Sequence, residues 1–256
     1  MIKSVQKATK LLTILADNYN EPLSLAKLSE LAEINKATCS HIISTLENEG
    51  FVIKISRSKG YILGPAAYCL SRFGRYNEKL IAVCHPFMQY LYRSLGHAII
   101  LAVIEKDKKY IIDYIDDGRM FETKTKIRTD DIYRTATGRA ILANLSSDKS
   151  YAIFKRYGFP SEKDWTNITS YNDMIADLSK NDKKSVFKTE TINEQSNTVD
   201  LGYGIALFNA TCCIGALGVA VRLPIDNREK FQKDEENIKK LIKQCAKEIS
   251  CRLSDL

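Results

Sequence analysis

Histidine is scarce in this chain of 256 residues: there are three, His41, His85 and His97. His85 and His97 fall on different predicted elements and read as surface or internally satisfied side chains rather than a ligand pair. HExxH is absent, as are the GxxxxGK[ST] loop and the GxSxG elbow. Those absences exclude a zinc hydrolase helix, a P-loop phosphate cradle and a serine hydrolase of the elbow type. Gly202-Tyr203-Gly204 begins a dinucleotide fingerprint, but the third glycine is missing and the segment opens a strand, not a helix. No motif calls for a cofactor, and no paired catalytic groups flank any motif, so an enzyme is not expected.

The cysteines number seven, an odd count with no CxxC pair. They read as reduced, mostly buried small hydrophobes. Cys212 and Cys213 are adjacent on a predicted strand, so their side chains point to opposite faces and do not share a metal. The opening residues are basic, yet the apolar run Leu11 to Ala16 is short and interrupted by Thr13. That is not an export signal, and a cytoplasmic protein is expected. Only Leu201 to Val221 is uncharged over a membrane-spanning length. Its four glycines, with Tyr203, Asn209 and Thr211, divide it into two apolar runs. Two buried strands joined by a turn at Asn209-Ala210 are expected, and no membrane partner.

What is present is an ordinary globular composition, with 45% hydrophobic and 27% charged residues and a formal charge of +7. The excess is denser early: residues 1–75 hold 10 Lys/Arg against 6 Asp/Glu, and residues 76–256 hold 28 against 25. A mild basic bias concentrated at one end favours a polyanionic partner for that end.

Hydrophobic spacing predicts a helix over 4–17. A second helix follows Ser24, with Leu25, Leu28, Leu31 and Ala32 on one face. After a break at Glu33-Ile34-Asn35 comes a third helix over Lys36 to Asn48, with Ala37, Ile42, Ile43 and Leu46 turned inward and Gly50 closing it. Short β runs at Phe51–Ile55 and Tyr61–Leu63 enclose the polar turn Ser56 to Gly60. Helix, helix, tight turn, helix and hairpin is the order of a winged helix-turn-helix. Ala66 to Arg75 forms a linker helix, and Leu80 to Leu95 a longer one containing Pro86. The remainder alternates. Strands are expected at Ala98–Ile104, Tyr110–Ile115, Gly204–Phe208 and Ile214–Val221. Helices are expected at Thr137–Leu145, Asp148–Tyr157, Tyr171–Leu178 and Phe231–Leu253. The fold class is therefore α+β, with three segments: 1–65, a linker over 66–77, and 78–256. The charged stretch Arg228 to Lys240 reads as a solvated helix face with i,i+4 pairs.

The third helix opens with Lys36, Ala37, Thr38, Ser40 and His41, small or hydrogen-bonding residues suited to base edges in a major groove. Arg57 and Lys59 at the hairpin tip suit the sugar–phosphate backbone or minor groove.

These residues resemble the IclR family of bacterial regulators. In residues 23–65 the match is the run Lys36-Ala37-Thr38-Cys39-Ser40-His41-Ile42-Ile43, then Leu46, Gly50, Phe51 and Val52. Further on, TATGRAILANL (135–145) and GYGIALFNATCCIGALGVAV (202–221) look like the family's later motifs. There are departures. The turn glycine is Glu33, the early arginine of the third helix is His41, a late-strand cysteine is Gly204, and a pair of hydroxyl residues is Ala220 and Arg222. The resemblance implies a GAF-like antiparallel-sheet effector domain that senses a small organic acid. It also implies a homodimer or tetramer, a palindromic operator in double-stranded DNA and, as the working reading, repression. By position it implies an effector site at Ala136, Thr137, Gly138, Glu194, Gly204, Ala220 and Arg222. Helix-start N–H groups suit a carboxylate, and Arg222 could grip one with two hydrogen bonds. A constitutive DNA binder whose C-terminal domain only oligomerises is the alternative.

Overall fold

A residue in the αL conformation sets the turn between the second and third helices of the first unit. Helices α1 (Lys3–Asp17), α2 (Leu25–Ala32) and α3 (Lys36–Asn48) are followed by β1 (Val52–Ser56), β2 (Gly60–Leu63) and α4 (Pro65–Arg72). Glu33, between α2 and α3, sits at φ 57° and ψ 42°. A glycine takes that conformation freely, whereas a side chain there costs about 1–2 kcal/mol. The turn is held by the Ile34 N–H donating to the Ser29 carbonyl at 3.1 Å and by Ser29 Oγ donating to the Ile34 carbonyl at 2.6 Å. Side chains define both helix starts: Ser24 Oγ accepts from the Lys27 N–H, and Asn35 Oδ1 from the Thr38 N–H. Leu11, Leu15, Leu28, Ala32, Cys39, Ile43 and Val52 close the core.

One inward assignment on α3 is corrected. Ala37 is exposed, and Cys39 takes the inner place with Ile43, while Ile42 and Leu46 are half-buried. Cys39 stands four residues before Ile43 and so shares its inner face, whereas Ala37, three and four residues before Ser40 and His41, falls with them on the outer one. Burial pushes the Cys39 thiol pKa up, as for a small hydrophobe. β1 and β2 pair antiparallel, and Leu23 adds a bridge, exchanging two hydrogen bonds with Tyr61 at 2.9 and 2.8 Å.

This computed structural model describes residues 2–56, 58–72, 77–105, 107–116, 132–182, 184–210 and 212–254, with backbone alone for 71 and 72. The described residues divide into two units, one within Met1–Glu78 and the other from Lys79 onward. The linker helix thus belongs to the first unit.

The second unit holds α5 (Glu78–Leu95), β3 (Ala98–Glu105), β4 (Lys108–Ile115), α6 (Ala136–Leu142), α7 (Ser147–Tyr157) and α8 (Tyr171–Ser179). After these come β5 (Phe187–Asn193), β6 (Thr198–Asn209), β7 (Cys212–Pro224), a 3-10 turn at Ile225–Asn227 and α9 (Gln232–Ser254). The strands form one antiparallel sheet in the order β4-β3-β7-β6-β5. The uncharged run is the β6–β7 hairpin, longer at both ends than expected, with Ala210 in its turn at φ 49°. β5 was not anticipated. FKTETIN buries only Phe187, its middle residues are threonines and a glutamate, and it lies at the sheet edge. Among the described residues no helix is long and apolar enough to cross a membrane.

The pleat sorts the sheet's side chains by parity. Leu201, Tyr203, Ile205, Leu217, Val219 and Val221 face α5 and α9, forming the larger core with Met88, Leu91, Ile242 and Ile249. The opposite face carries smaller residues: Gly202, Gly204 and Ala206 on β6, Ala216, Gly218 and Ala220 on β7, and Ala98, Ile100 and Ala102 on β3. α6 packs there, with Ile153, Met174, Leu178 and Trp165 completing a second core. The cysteines divide: Cys39, Cys84 and Cys245 are buried, but Cys69, Cys212 and Cys251 are exposed, which corrects the expectation of mostly buried thiols.

Candidate DNA-reading surface and effector face

On α3 the residues that turn outward are those suited to base edges. Lys36, Ala37, Ser40 and His41 are exposed, and Thr38 is half-buried beneath its cap. The side chains of Lys36, Ser40 and His41 make no hydrogen bond to other described residues, so their polar atoms are available to a ligand. Lys59 is exposed at the hairpin tip, where its N–H donates to Ser56 Oγ at 3.0 Å. Arg57 lies outside the described residues. The reading helix and hairpin belong to one bonded frame, because the Leu23–Tyr61 bridge ties the start of α2 to β2.

The second unit arranges its candidates differently. Thr135 caps α6, its Oγ1 accepting from the Gly138 N–H at 3.2 Å. Ala136, Thr137 and Gly138 are buried, and their turn is seated on the sheet's glycines. A Cβ on Gly204 would lie 2.4 Å from the Ala136 carbonyl carbon and the Thr137 nitrogen; one on Gly218 would lie 2.5 Å from Thr137 Cγ2. The helix start therefore meets the sheet backbone to backbone. α6 is only 7 residues long, and its first turn is spent on that contact and its own cap. The helix start expected to meet a carboxylate is a buried turn seated on the sheet.

Arg222 is engaged within the protein. Its fork closes on Asp200, directly opposite on β6, with Nε to Oδ1 at 2.6 Å and Nη2 to Oδ2 at 2.7 Å. Donating these hydrogen bonds to the Asp200 carboxylate pushes the guanidinium pKa above its usual value. Two of its five N–H groups are thus engaged inside the protein. Ala220 and Gly202 lie between this ion pair and α6, and both are half-exposed, as is Ile100 beside them. Glu194 is exposed on the β5–β6 turn, away from this floor, with its carbonyl accepting from the Asn197 N–H. The structure thus brings together Ala136, Thr137, Gly204 and Ala220, joins Arg222 to Asp200, and leaves Glu194 apart.

Two residues were missed. Asp200 was legible, since register counted back from the Asn209-Ala210 turn sets it near Arg222. Lys109 was not: it is buried at 4% exposure, and its Nζ donates to Thr135 Oγ1 at 2.7 Å, a contact no sequence spacing announces.

A cavity of about 450 Å³ lies on α6's other side, lined by Arg139, Trp165, Asp173, Asp177 and Lys180 among others. Arg139 donates from Nε to the Tyr133 carbonyl and from Nη2 to the Asp164 carbonyl, and stacks 4.3 Å from the Trp165 ring centre. Burial pulls its pKa down to about 10, against the opposing pull of Asp177 and Asp164. Trp165 Nε1 donates to Asp177, which also pairs with Lys180 at 2.9 Å. This network closes on itself. A second cavity of about 260 Å³ is bordered by Arg222, His97 and Phe231. Neither cavity is lined by Ala136, Thr137 or Gly204. His85 is satisfied, between Asp113 at 2.7 Å and Gln89 at 3.2 Å.

Comparison with known proteins agrees with this architecture. A family profile described as the C-terminal domain of the bacterial transcriptional regulator IclR matches residues 76–251, and an IclR helix-turn-helix profile matches residues 4–54. An acetate operon repressor of Salmonella typhimurium is 22% identical over 160 residues, covering 61% of this chain and 58% of the repressor. The regulator TtgV of Pseudomonas putida is 26% identical over 148 residues, 57% of this chain and 56% of that protein. The chain thus matches little more than half the length of these curated relatives. A solved regulator from Alicyclobacillus acidocaldarius superposes with a TM-score of 0.70 at 19% identity, covering 99% of both chains. A homologue from Microbacterium hydrocarbonoxydans, solved with 4-hydroxybenzoate, gives 0.65 at 12% identity over 96% of this chain and 100% of its own.

Proposed function

The chain belongs to the IclR family of bacterial transcriptional regulators, and from that membership we propose that it is a repressor that binds a palindromic operator as a homodimer or tetramer and responds to a small organic acid. The observation that carries the DNA half is the outward stripe of α3. Lys36, Ala37, Ser40 and His41 are exposed on a helix whose inner face, Cys39 and Ile43, is locked into the core. Two such helices one helical turn of DNA apart, roughly 34–36 Å, read two half-sites. Exposed apolar side chains on α4, Tyr68 at 63% and Leu70 at 71%, suit association between copies.

The test is operator binding over a range of salt. Ser40→Ala with His41→Ala lowers specific affinity by about 1–3 kcal/mol per lost base contact and spares nonspecific binding. Lys59→Ala weakens binding to every sequence and flattens the salt dependence. Equal behaviour of the two variants contradicts the assignment of reading helix and tip.

For the effector, the half-exposed floor of Gly202, Ala220 and Ile100, bounded by Arg222, is the place we assign to a small acid; a homologue solved with 4-hydroxybenzoate supports that class. Arg222 retains N–H groups beyond those given to Asp200 for a carboxylate. A thermal-shift panel of small aliphatic and aromatic acids tests this: a ligand at 100 times its Kd stabilises by about 2.7 kcal/mol. One observation favours the second reading, a constitutive DNA binder whose C-terminal unit only associates: the first turn of α6 fills the surface over Gly204 and Gly218. An acid that stabilises the protein and shifts operator affinity decides for sensing; a panel without either effect decides for the second reading.

A further inference from the structure

The outward stripe of α3 is built from short side chains. Ala37, Ser40, His41 and Ser44 follow one another at i, i+3, i+4 and i+7, and all are exposed. Guanine is read in the major groove by paired hydrogen bonds from arginine or lysine, and adenine by asparagine or glutamine. Between Ala37 and Glu47 the helix contains none of these four residue types. Asn35 precedes it, but its Oδ1 is taken by the Thr38 N–H at 2.8 Å. Lys36 stands at the first helical position, where an ammonium serves a phosphate. Thr45 turns its Oγ1 back to the His41 carbonyl at 3.0 Å.

What remains for the base edges is one methyl group, two serine hydroxyls and an imidazole. Apart from Lys36 at the first helical position, no long side chain precedes His41 on this face, so the first turn can approach the groove floor closely at Ala37. Ala37 Cβ is its exposed apolar group, and the apolar group offered by the major groove is the 5-methyl of thymine.

Resting on the reading of α3 as the DNA-reading helix, we infer that this protein selects an A·T pair at one half-site position through contact between Ala37 Cβ and a thymine 5-methyl. Ala37 is then a specificity-determining residue that works by shape rather than by hydrogen bonding.

The experiment is selection of duplexes from a random pool with the full chain, followed by replacement of each selected thymine with deoxyuridine, which removes only the methyl. One position is expected at which this weakens binding about fourfold, the worth of one buried methyl-sized group. The thymine-over-deoxyuridine ratio at that position falls to about one in Ala37→Gly, a loss set by that same methyl-sized contact. Glycine weakens a helix, so Ala37→Ser, which sets a hydroxyl against the methyl, provides the second reading and lowers the ratio likewise. A half-site with no methyl-sensitive thymine, or a ratio that survives both variants, overturns the inference and leaves the DNA-reading role of α3 standing. Failure to enrich any duplex over random DNA overturns that role and the inference with it.

Discussion

The two units hold their polar chemistry in opposite ways. In Met1–Glu78 the candidate side chains of α3 point outward and make no bonds to other described residues. In the second unit the comparable groups are engaged already: Thr135 with Gly138 and Lys109, Arg222 with Asp200, and Gly204 with the backbone of α6. A surface that reads a long, stiff polyanion needs exposed groups on a rigid frame, because the partner supplies the enclosure. A face meant for a small molecule must supply its own enclosure, and without the ligand its groups satisfy one another.

The contrast breaks first if α6 is not firmly seated. Gly204→Ala puts a methyl into the helix backbone and should cost about 3 kcal/mol of second-unit stability. The only tryptophan, Trp165, is buried in that unit, so urea unfolding followed by its fluorescence reads the loss directly. A change below about 0.5 kcal/mol, the ordinary scatter of a surface substitution, would mean a loosely held helix and an effector face more open than described. Next, Arg222→Gln strands the Asp200 carboxylate. The pair is partly exposed, so the expected loss is about 1–2 kcal/mol. Adding Asp200→Asn should recover part of that loss, and strict additivity in the double-mutant cycle would show the pair is not coupled.

In the first unit, Asn35→Ala removes the α3 cap and should cost about 1 kcal/mol, seen as faster amide exchange at Thr38 and Cys39. Unchanged exchange would show that packing alone holds the reading helix. A modest acid dependence belongs to the second unit. Burial pulls the Glu235 carboxyl pKa upward, but hydrogen bonds from Lys188 and Lys239 outweigh it and hold the group below its ordinary 4.5. A depressed folded value means stability that is complete above pH 4.5 and is lost as pH falls through the folded pKa. Lys188→Met should lessen that acid sensitivity in a Trp165 fluorescence titration. The smallest effect is Glu33→Gly. Relief of the αL strain is offset by glycine's greater unfolded-state freedom, leaving a gain of at most about 0.5 kcal/mol in thermal unfolding.

Much of this was legible in the residues. Ser24, the 33–35 break and Gly50 marked the helices of the first unit because each acts locally. The outward set Lys36, Ser40 and His41 agrees with helical period, although Ala37 was misassigned to the inner face, where the same period places Cys39 four residues before Ile43. The second unit was legible as strands and helices but not as a site. β5 hid behind its threonines and glutamate at a sheet edge. Arg222 looked like a ligand group because its partner lies 22 residues away, and the burial of Lys109 depends on elements far apart in the chain. Local signals announce caps and periods; pairing across a sheet emerges only with register.

The Leu23–Tyr61 bridge carries one more consequence. Since Leu23 exchanges both backbone hydrogen bonds with Tyr61, the segment from Leu23 to Leu63 closes on itself like a clasp. An engineer wishing to retarget this regulator should move that whole stretch as one cassette, since a transplanted α3 without its matching hairpin would arrive with the clasp undone.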